Sequence, residues 1–500
     1  MGRPMSSLST FALVCCVVFF AAQLILMHPK SSWLSNEGSG THGLFRSKPQ
    51  PARGRQPRRH VAIATSFPPH FEVYMPIAWT VSKLLPKSPR GTVQVYHNSG
   101  KFNDGYEKIL QRTGMYDTEM GGNGQGLKKA LEALIADVAS NSLFDEDGDV
   151  GAMIDMIVFG TCEFDLERWN DALLRIWDSR PADQKFKIVC MVHNGRGAEN
   201  WLPKYAPEWA ARESLRIVTI AEHVAEYFSK YVHNLADRPE PFRSSLFEHV
   251  AVDVHYPVAP WAPIQASEHR FPDTKGLAHV AIMGNLWPNR REYLQWFEDL
   301  LASLKKDPLR WGYLPLVSAT SSYEPDLSSP LTPFKLHLVG SDGQVQIPNI
   351  LKNVVEHNDA LEYSEFYALI GSMDVIIPAY VQDENVGYYT AQSSSAVHTS
   401  VQLNVPILGT HRMRNSYKYI NDDRLLITRP QALREVETIL ALRTGSTNHI
   451  LNRHNSTRLM QEVDEMIRLG WKRPLSGFLN LKKELWKRNE QVIWSMLTDP

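Results

Sequence analysis

From His60 onward the chain repeats one pattern: a short apolar run, an amphipathic stretch, and another apolar run. The runs HVAIATSF, GTVQVYHN, MIDMIVFGT, FKIVCMVHN, RIVTIA and HVAVDVHYPV read as strands buried on both faces. Stretches such as LERWNDALLRIWD and HVAEYFSKYVHNL between them carry helical spacing. Strands of this kind joined by helices form a doubly wound parallel sheet. A second series, HVAIMGN, FKLHLVG, DVIIPAY, VPILGT and RLLIT, follows a Pro-bearing linker at 259–276. The expected fold is therefore α/β, with two facing Rossmann-like domains at 60–265 and 277–460. Helices at 461–500 are expected to pack back on the first domain. A chain of 500 residues exceeds what one core usually organises, which agrees with two domains.

The segment before His60 differs in kind. FALVCCVVFFAAQLILM, from Phe11 to Met27, has no charge and one polar residue, Gln23. At about 1.5 Å per residue it spans roughly 25 Å, enough for a thin bilayer. The expectation is a tail at 1–9, a single transmembrane helix at 10–27 and a disordered Ser/Gly/Pro/Arg-rich stem at 28–59. A cleaved signal peptide and a lipid-touching polybasic patch are the alternatives. Basic residues flank the apolar segment almost equally, and RGRQPRR at 53–59 favours the side opposite to a lumenal enzyme. The location expected is a secretory-pathway membrane, Golgi or ER, with the globular part lumenal. The sequon NST at 455–457 adds weak support.

A net charge of −1 with mixed signs argues against a nucleic-acid binder, which needs a concentrated basic face. Of four cysteines, two lie in the apolar segment. Cys162 and Cys190 remain, each near a strand, and are expected to be buried free thiols rather than a bridge.

In open α/β sheets ligands bind beyond the carboxyl ends of strands. HVAIMGNLWPNRREY ends a strand at Gly284 and Asn285, then places Arg290 and Arg291 at the opening of an amphipathic helix. The glycine admits a ligand to the backbone, and the arginines can fork onto a diphosphate. A solvated arginine pair is the bland alternative. LHLVGSDG repeats the arrangement with Gly340 and Gly343, although glycine turns after strands are common. In PAYVQDENVGYYTAQSSSAVHTS, Ser393, Ser394 and Ser395 start a helix whose backbone N–H groups and small hydroxyls can hold phosphate, or form an ordinary N-cap.

Taken together, GN, NRREY, LHLVG, DVIIPAY, ENVGYYTAQSSSAV and NVPILGT resemble the nucleotide-sugar half of a GT-B glycosyltransferase, particularly fungal membrane-anchored members. The resemblance covers roughly 277–430; in the first domain it extends only to the order of elements. It implies a donor site in the second domain and an acceptor site in the first. It also implies basic residues on the diphosphate, here Arg290 and Arg291, and contact from the helix after IIP, here Ser393 to Ser395. Many retaining members carry two glutamates eight positions apart before a Gly-x-Pro turn. Glu384 and Gly387 match the first part, but Gln392 stands at the second glutamate and the Pro406 turn comes late.

The reaction expected is transfer of a sugar from a nucleoside-diphosphate sugar to an acceptor hydroxyl of a glycan, glycoprotein or glycolipid. Arg290, Arg291 and the helix start would stabilise the leaving diphosphate without a metal or other cofactor. His70 and His193, after strands of the first domain, are candidate proton acceptors or sugar contacts, with a structural histidine as the alternative for each. Asp383 and Glu384 are candidates for donor-sugar hydroxyls, against a solvated turn.

GGNGQGLKK at 121–129 fails as a Walker loop, because Leu127 displaces Lys128 and no Ser or Thr follows. DEDGD at 145–149 resembles a metal-binding Asp-x-Asp but precedes a strand and lacks the EF-hand glycine and glutamate. ATSFPPHF after the first strand lacks the glycines of a dinucleotide-binding oxidoreductase. A catalytically inactive glycan-binding protein of the same fold remains the second reading. Donor sugar, base, acceptor and stereochemistry are not legible.

Overall fold

The computed structural model describes residues 60–65, 71–85, 91–96, 154–236, 244–259, 276–318, 321–341, 345–381, 387–448, 450 and 456–499. The expected tail, anchor and stem, the site candidates His70, Asp383 and Glu384, Asn455 of the sequon, and the GGNGQGLKK and DEDGD segments lie outside these residues. Among the described residues no helix is long and apolar enough to cross a membrane.

The first sheet contains β1 (His60–Ala64), β2 (Thr92–Tyr96), β3 (Met156–Phe159), β4 (Lys187–Val192), β5 (Leu215–Thr219) and β6 (Ala251–Val254). Its helices are α1 (Phe71–Leu84), α2 (Cys162–Ser179), α3 (Ala198–Ala211) and α4 (Glu222–Ala236). The second sheet contains β7 (His279–Met283), β8 (Lys335–Val339), β9 (Val355–Asn358), β10 (Val375–Ile377), β11 (Ile407–Gly409) and β12 (Leu426–Thr428). With it come α5 (Tyr293–Lys306), α6 (Tyr363–Gly371), α7 (Ser395–Leu403), α8 (His411–Ser416) and α9 (Glu435–Thr444), followed by α10 (Thr457–Leu469) and α11 (Leu475–Thr498).

Both sheets are parallel throughout, in the orders β2-β1-β3-β4-β5-β6 and β12-β11-β10-β7-β8-β9. The apolar runs make this architecture because most of the described strand residues are buried, β6 and β9 excepted. All five residues of β7 are buried. In α5, Tyr293, Trp296, Phe297, Leu300 and Leu304 fall on one face and are buried, while Lys305 and Lys306 complement the negative end of its dipole. The strand β9 was not legible as a strand: its residues are Val, Glu, His and Asn, and at the sheet edge only Val355 is buried.

One apolar core continues from both faces of the first sheet through α7 and α11 to Ala281, Met283 and Val339 of the second sheet. A separate core fills the other face of the second sheet. The last helix, α11, lies on the first domain. Trp486 and Trp79 of α1 are 6.0 Å apart between ring centres, and Asn489 makes paired hydrogen bonds of 2.9 and 2.8 Å with the backbone of Tyr256.

One expectation is corrected. Cys162 and Cys190 are bonded to each other, with Cα atoms 5.0 Å apart. Cys190 pairs with Phe159 across β3 and β4, and Cys162 follows three residues later at the start of α2. That turn brings the second sulfur back over the first.

Candidate active site

In the second sheet the chain steps from β7 outward to β8 and β9, then returns to β10 on the other side of β7. Such a reversal opens a crevice beyond the carboxyl ends of the strands. A cavity of about 330 Å³ lies there. Gly284 and Gly340 form its floor, Asn358, Tyr363 and Phe366 its wall, and Ser395 of α7 and Glu72 of α1 close it.

The floor requires glycine. Gly284 and Gly340 have φ of +106° and +138°. A Cβ on Gly340 would stand 2.0 Å from the carbonyl oxygen of Gly284, while one on Gly284 would stand 3.0 Å from Nη2 of Arg291 and 3.5 Å from Oγ of Ser395. Two strand ends therefore meet backbone to backbone, and a ligand can lie directly on them.

The two arginines have different fates. Arg291 is only 2% exposed, and its Nη1 donates to the carbonyl oxygen of Pro378 at 3.0 Å. Its guanidinium lies 5.1 Å from the ring centres of both Tyr380 and Tyr388. It is a buried strut between the ends of β7 and β10 and does not line the cavity. This corrects the expectation of two equivalent phosphate ligands. Arg290 is half-buried, and its side chain has no hydrogen-bond or ion-pair partner among the described residues. Asn285 has a buried Oδ1 without a partner among those residues.

The serines also divide. Ser394 is the N-cap of α7, with extended backbone, and Ser395 is the first helical residue. Ser393 is not part of a free helix start, because its N–H donates to the carbonyl oxygen of His193 at 2.9 Å. Beside this bond, Asn194 and Gln392 form an antiparallel bridge, and the N–H of Gly195 donates to Ala391 at 2.6 Å. The loop after β4 and the segment before α7 thus clasp across the domains. Gly387 anchors that segment, its carbonyl accepting from the N–H groups of Thr390, Ala391 and Gln392. His193 is brought to the site through its backbone, with its imidazole half-buried.

Three residues that sequence reasoning passed over also belong here. His223, in the first turn of α4, sets Nε2 3.0 Å from the carbonyl oxygen of Gln392 and Nδ1 3.2 Å from that of Ser416. Burial pushes its pKa down, against the pull of the two carbonyls. Glu222 accepts from the Tyr256 hydroxyl at 2.8 Å, and burial raises its pKa above the usual carboxylate range. Glu72 accepts from the Tyr363 hydroxyl at 2.7 Å, reaching from α1 into the second domain. Among the described residues no group of three or more His, Cys, Asp or Glu is placed to hold a metal ion.

Neither protein-family models nor curated proteins give a match to this chain. Solved structures do. The chain is similar to a lipopolysaccharide outer core galactosyltransferase, WaaB, at 11% identity and TM-score 0.40, over 88% of this chain and 100% of that one. It is similar to Anabaena HepE in complex with UDP and glucose, at 13% identity and TM-score 0.43, over 86% and 98%. It is also similar to a UDP-N-acetylglucosamine 2-epimerase from Rickettsia bellii, at 9% identity and TM-score 0.37, over 87% and 99%.

Proposed function

We propose that the protein is a metal-independent glycosyltransferase that moves a sugar from a nucleoside-diphosphate sugar to an acceptor hydroxyl. The observation that carries this is the cavity at the β7–β10 reversal, floored by two obligate glycines and closed by the N-terminus of α7. Glycine floors bring a ligand against the backbone, and the first-turn N–H groups of Ser395 and Ala396 meet it with the positive end of a helix dipole. That chemistry suits a diphosphate. In this reading Arg290, five residues after Asn285 in sequence and with no side-chain partner among the described residues, supplies the mobile positive charge. As the glycosidic bond breaks, negative charge accumulates on the leaving phosphate, where the helix start and Arg290 stabilise it. The first domain, held at the site by the 193–195 clasp, presents the acceptor. Membrane anchoring through 10–27 and a lumenal, secretory-pathway location complete the reading.

An inactive glycan-binding protein is the second reading, favoured by two observations: Arg291 is committed to Pro378, and among the described residues no lysine or arginine lines the cavity. Thermal melting with a panel of nucleoside diphosphates and their sugar conjugates separates the two. Binding at about a hundredfold excess over Kd adds about 2.7 kcal/mol. Stabilisation by one nucleoside diphosphate, with slow hydrolysis of its sugar conjugate and no effect of EDTA, is the expected result. Stabilisation by glycans alone would establish the second reading, and loss of turnover on chelation would overturn metal independence.

A further inference from the structure

We infer that the second domain holds a further ligand site, for a small organic phosphate monoester, in a cavity alongside the edge strand β12. The cavity measures about 390 Å³ and shares no lining residue with the one at the β7–β10 reversal. Three arginines reach it from three segments: Arg414 from α8, Arg429 just after β12, and Arg473 in the turn between α10 and α11. Leu426, Met466 and Leu469 give it an apolar wall.

The donors of these arginines are only partly used. A guanidinium carries five N–H donors. Arg473 donates through Nη1 to the carbonyl oxygens of Leu469, Gly470 and Lys472, while its buried Nε has no partner among the described residues. Arg429 is 8% exposed and donates through Nη1 to the carbonyl oxygens of Pro430 and Leu433. Its Nη2 stands 3.6 Å from Glu435, and its Nε is likewise buried without a partner among those residues. Arg414 is held more fully, by Asp423 at 2.6 Å and by Asn421 and Thr428 at 2.9 Å. Buried donors left without acceptors are costly, so a ligand that brings acceptors here is favoured.

The acids around the cavity do not cancel this charge. Glu462 is bonded to Arg458 at 3.0 Å, and Glu465 accepts from Nε and Nη2 of Arg468 at 2.6 and 2.5 Å. Both of those arginines stand outside the lining. Asp423 is taken by Arg414. Burial holds the pKa of Arg473 below the ordinary guanidinium value; Asp423 opposes this and the Arg414 charge adds to it. An anion between the two arginines relieves that repulsion. Shape selects which anion. A carboxylate offers two oxygens in one plane and matches a single guanidinium fork, whereas a phosphate monoester offers three oxygens and up to two charges to donors arriving from several directions. The remaining volume and the apolar wall take the organic group.

Calorimetric titration of the protein with inorganic phosphate, glucose 6-phosphate, glucuronate and glucose tests the site. Glucose 6-phosphate should bind, inorganic phosphate should bind more weakly, and glucuronate and glucose should be weaker still. Arg473→Ala should weaken both phosphates about tenfold or more, the size expected for hydrogen bonds to a charged group. Gln461→Glu, at an exposed position of the lining, adds a negative charge without removing a hydrogen bond among the described residues. It should weaken both phosphates severalfold, and it serves if Arg473→Ala does not fold. Absence of phosphate binding up to about 10 mM, or binding that neither substitution changes, would overturn the site. Glucuronate binding as tightly as glucose 6-phosphate would overturn the assignment to a phosphate.

Discussion

Ser393 donates its backbone N–H to the carbonyl oxygen of His193 at 2.9 Å, and this bond ties the loop after β4 to the start of α7. The two residues belong to different domains, 200 positions apart in the chain. Their contact sets where the helix start stands relative to the first domain, and hence where an acceptor could meet a donor. His223 reinforces it by facing the carbonyl oxygen of Gln392, the residue preceding Ser393. The serine run thus has two functions. Ser393 joins the domains, while Ser394 and Ser395 cap and begin the helix.

The two arginines should separate in experiment. Arg291→Ala removes a buried guanidinium, leaves the Pro378 carbonyl without its donor and opens a hole beneath Gly284. A stability loss of about 2–4 kcal/mol is expected, read as a fall in Tm. Arg290→Ala should leave Tm nearly unchanged, since a half-exposed side chain without partners contributes little to folding, yet lower turnover about 10²-fold. Equal behaviour of the two variants in both measurements would contradict the division of roles.

Gly340→Ala should be among the most damaging single-methyl changes in the chain. Its new Cβ would stand 2.0 Å from the Gly284 carbonyl oxygen, and the backbone there cannot yield without separating β7 from β8. The positive φ adds strain. A loss of about 3 kcal/mol or more is expected. Gly445→Ala is the control: it has positive φ at the end of α9 but nothing within 4 Å of the added atom. Strain alone should cost about 1 kcal/mol there. Denaturant titration of both variants measures the difference.

These positions show what a single sequence discloses. Strands buried on both faces announce themselves, because no polar residue interrupts MIVF or the VAIM of β7, so both sheets were legible apart from the edge strand β9. Gly284 and Gly340 were legible as post-strand glycines, since backbone contact leaves glycine no substitute. The direction of Arg291 was not, because only packing against Tyr380 and Tyr388 turns it inward. Glu72 and His223 were illegible for a related reason. Each sits in the first turn of a helix, where a charged or polar residue is ordinary, and their significance comes from partners 291 and 169 residues away. Cys162 and Cys190 give no spacing signal, and only the turn from β3 into α2 brings them together.

That bond makes a chemical prediction. In denatured protein without reductant, Cys162 and Cys190 should be unreactive toward a thiol reagent, and after reduction both should react. Closing a loop of this length contributes about 3.6 kcal/mol in the chain-entropy account. Reduction, or Cys162→Ala with Cys190→Ala, should lower stability by a comparable amount. Two reactive thiols at these positions before reduction would restore the free-thiol reading.

Lys482 gives the pH prediction. It lies on α11, 3% exposed, and donates to the carbonyl oxygen of Gln402 at 2.7 Å. Gln402 in turn binds the backbone N–H of Ala259 at 2.9 Å, so the lysine stands behind the crossing between the domains. Burial pushes its pKa down to about 7. An unfolded lysine holds its proton until about pH 10.4. Between these values the unfolded chain binds one more proton than the folded chain, so this group makes stability rise with pH, by at most about 1.4 kcal/mol per unit. The cost is present at neutral pH and relieved toward pH 9–10. Lys482→Met, similar in volume and uncharged, should therefore be more stable than wild type near pH 7. That advantage should shrink steadily as the pH rises to 9.5. Comparing the two proteins at each pH cancels the titration of every other group, so a constant difference across the range would show that Lys482 is charged in the folded state throughout.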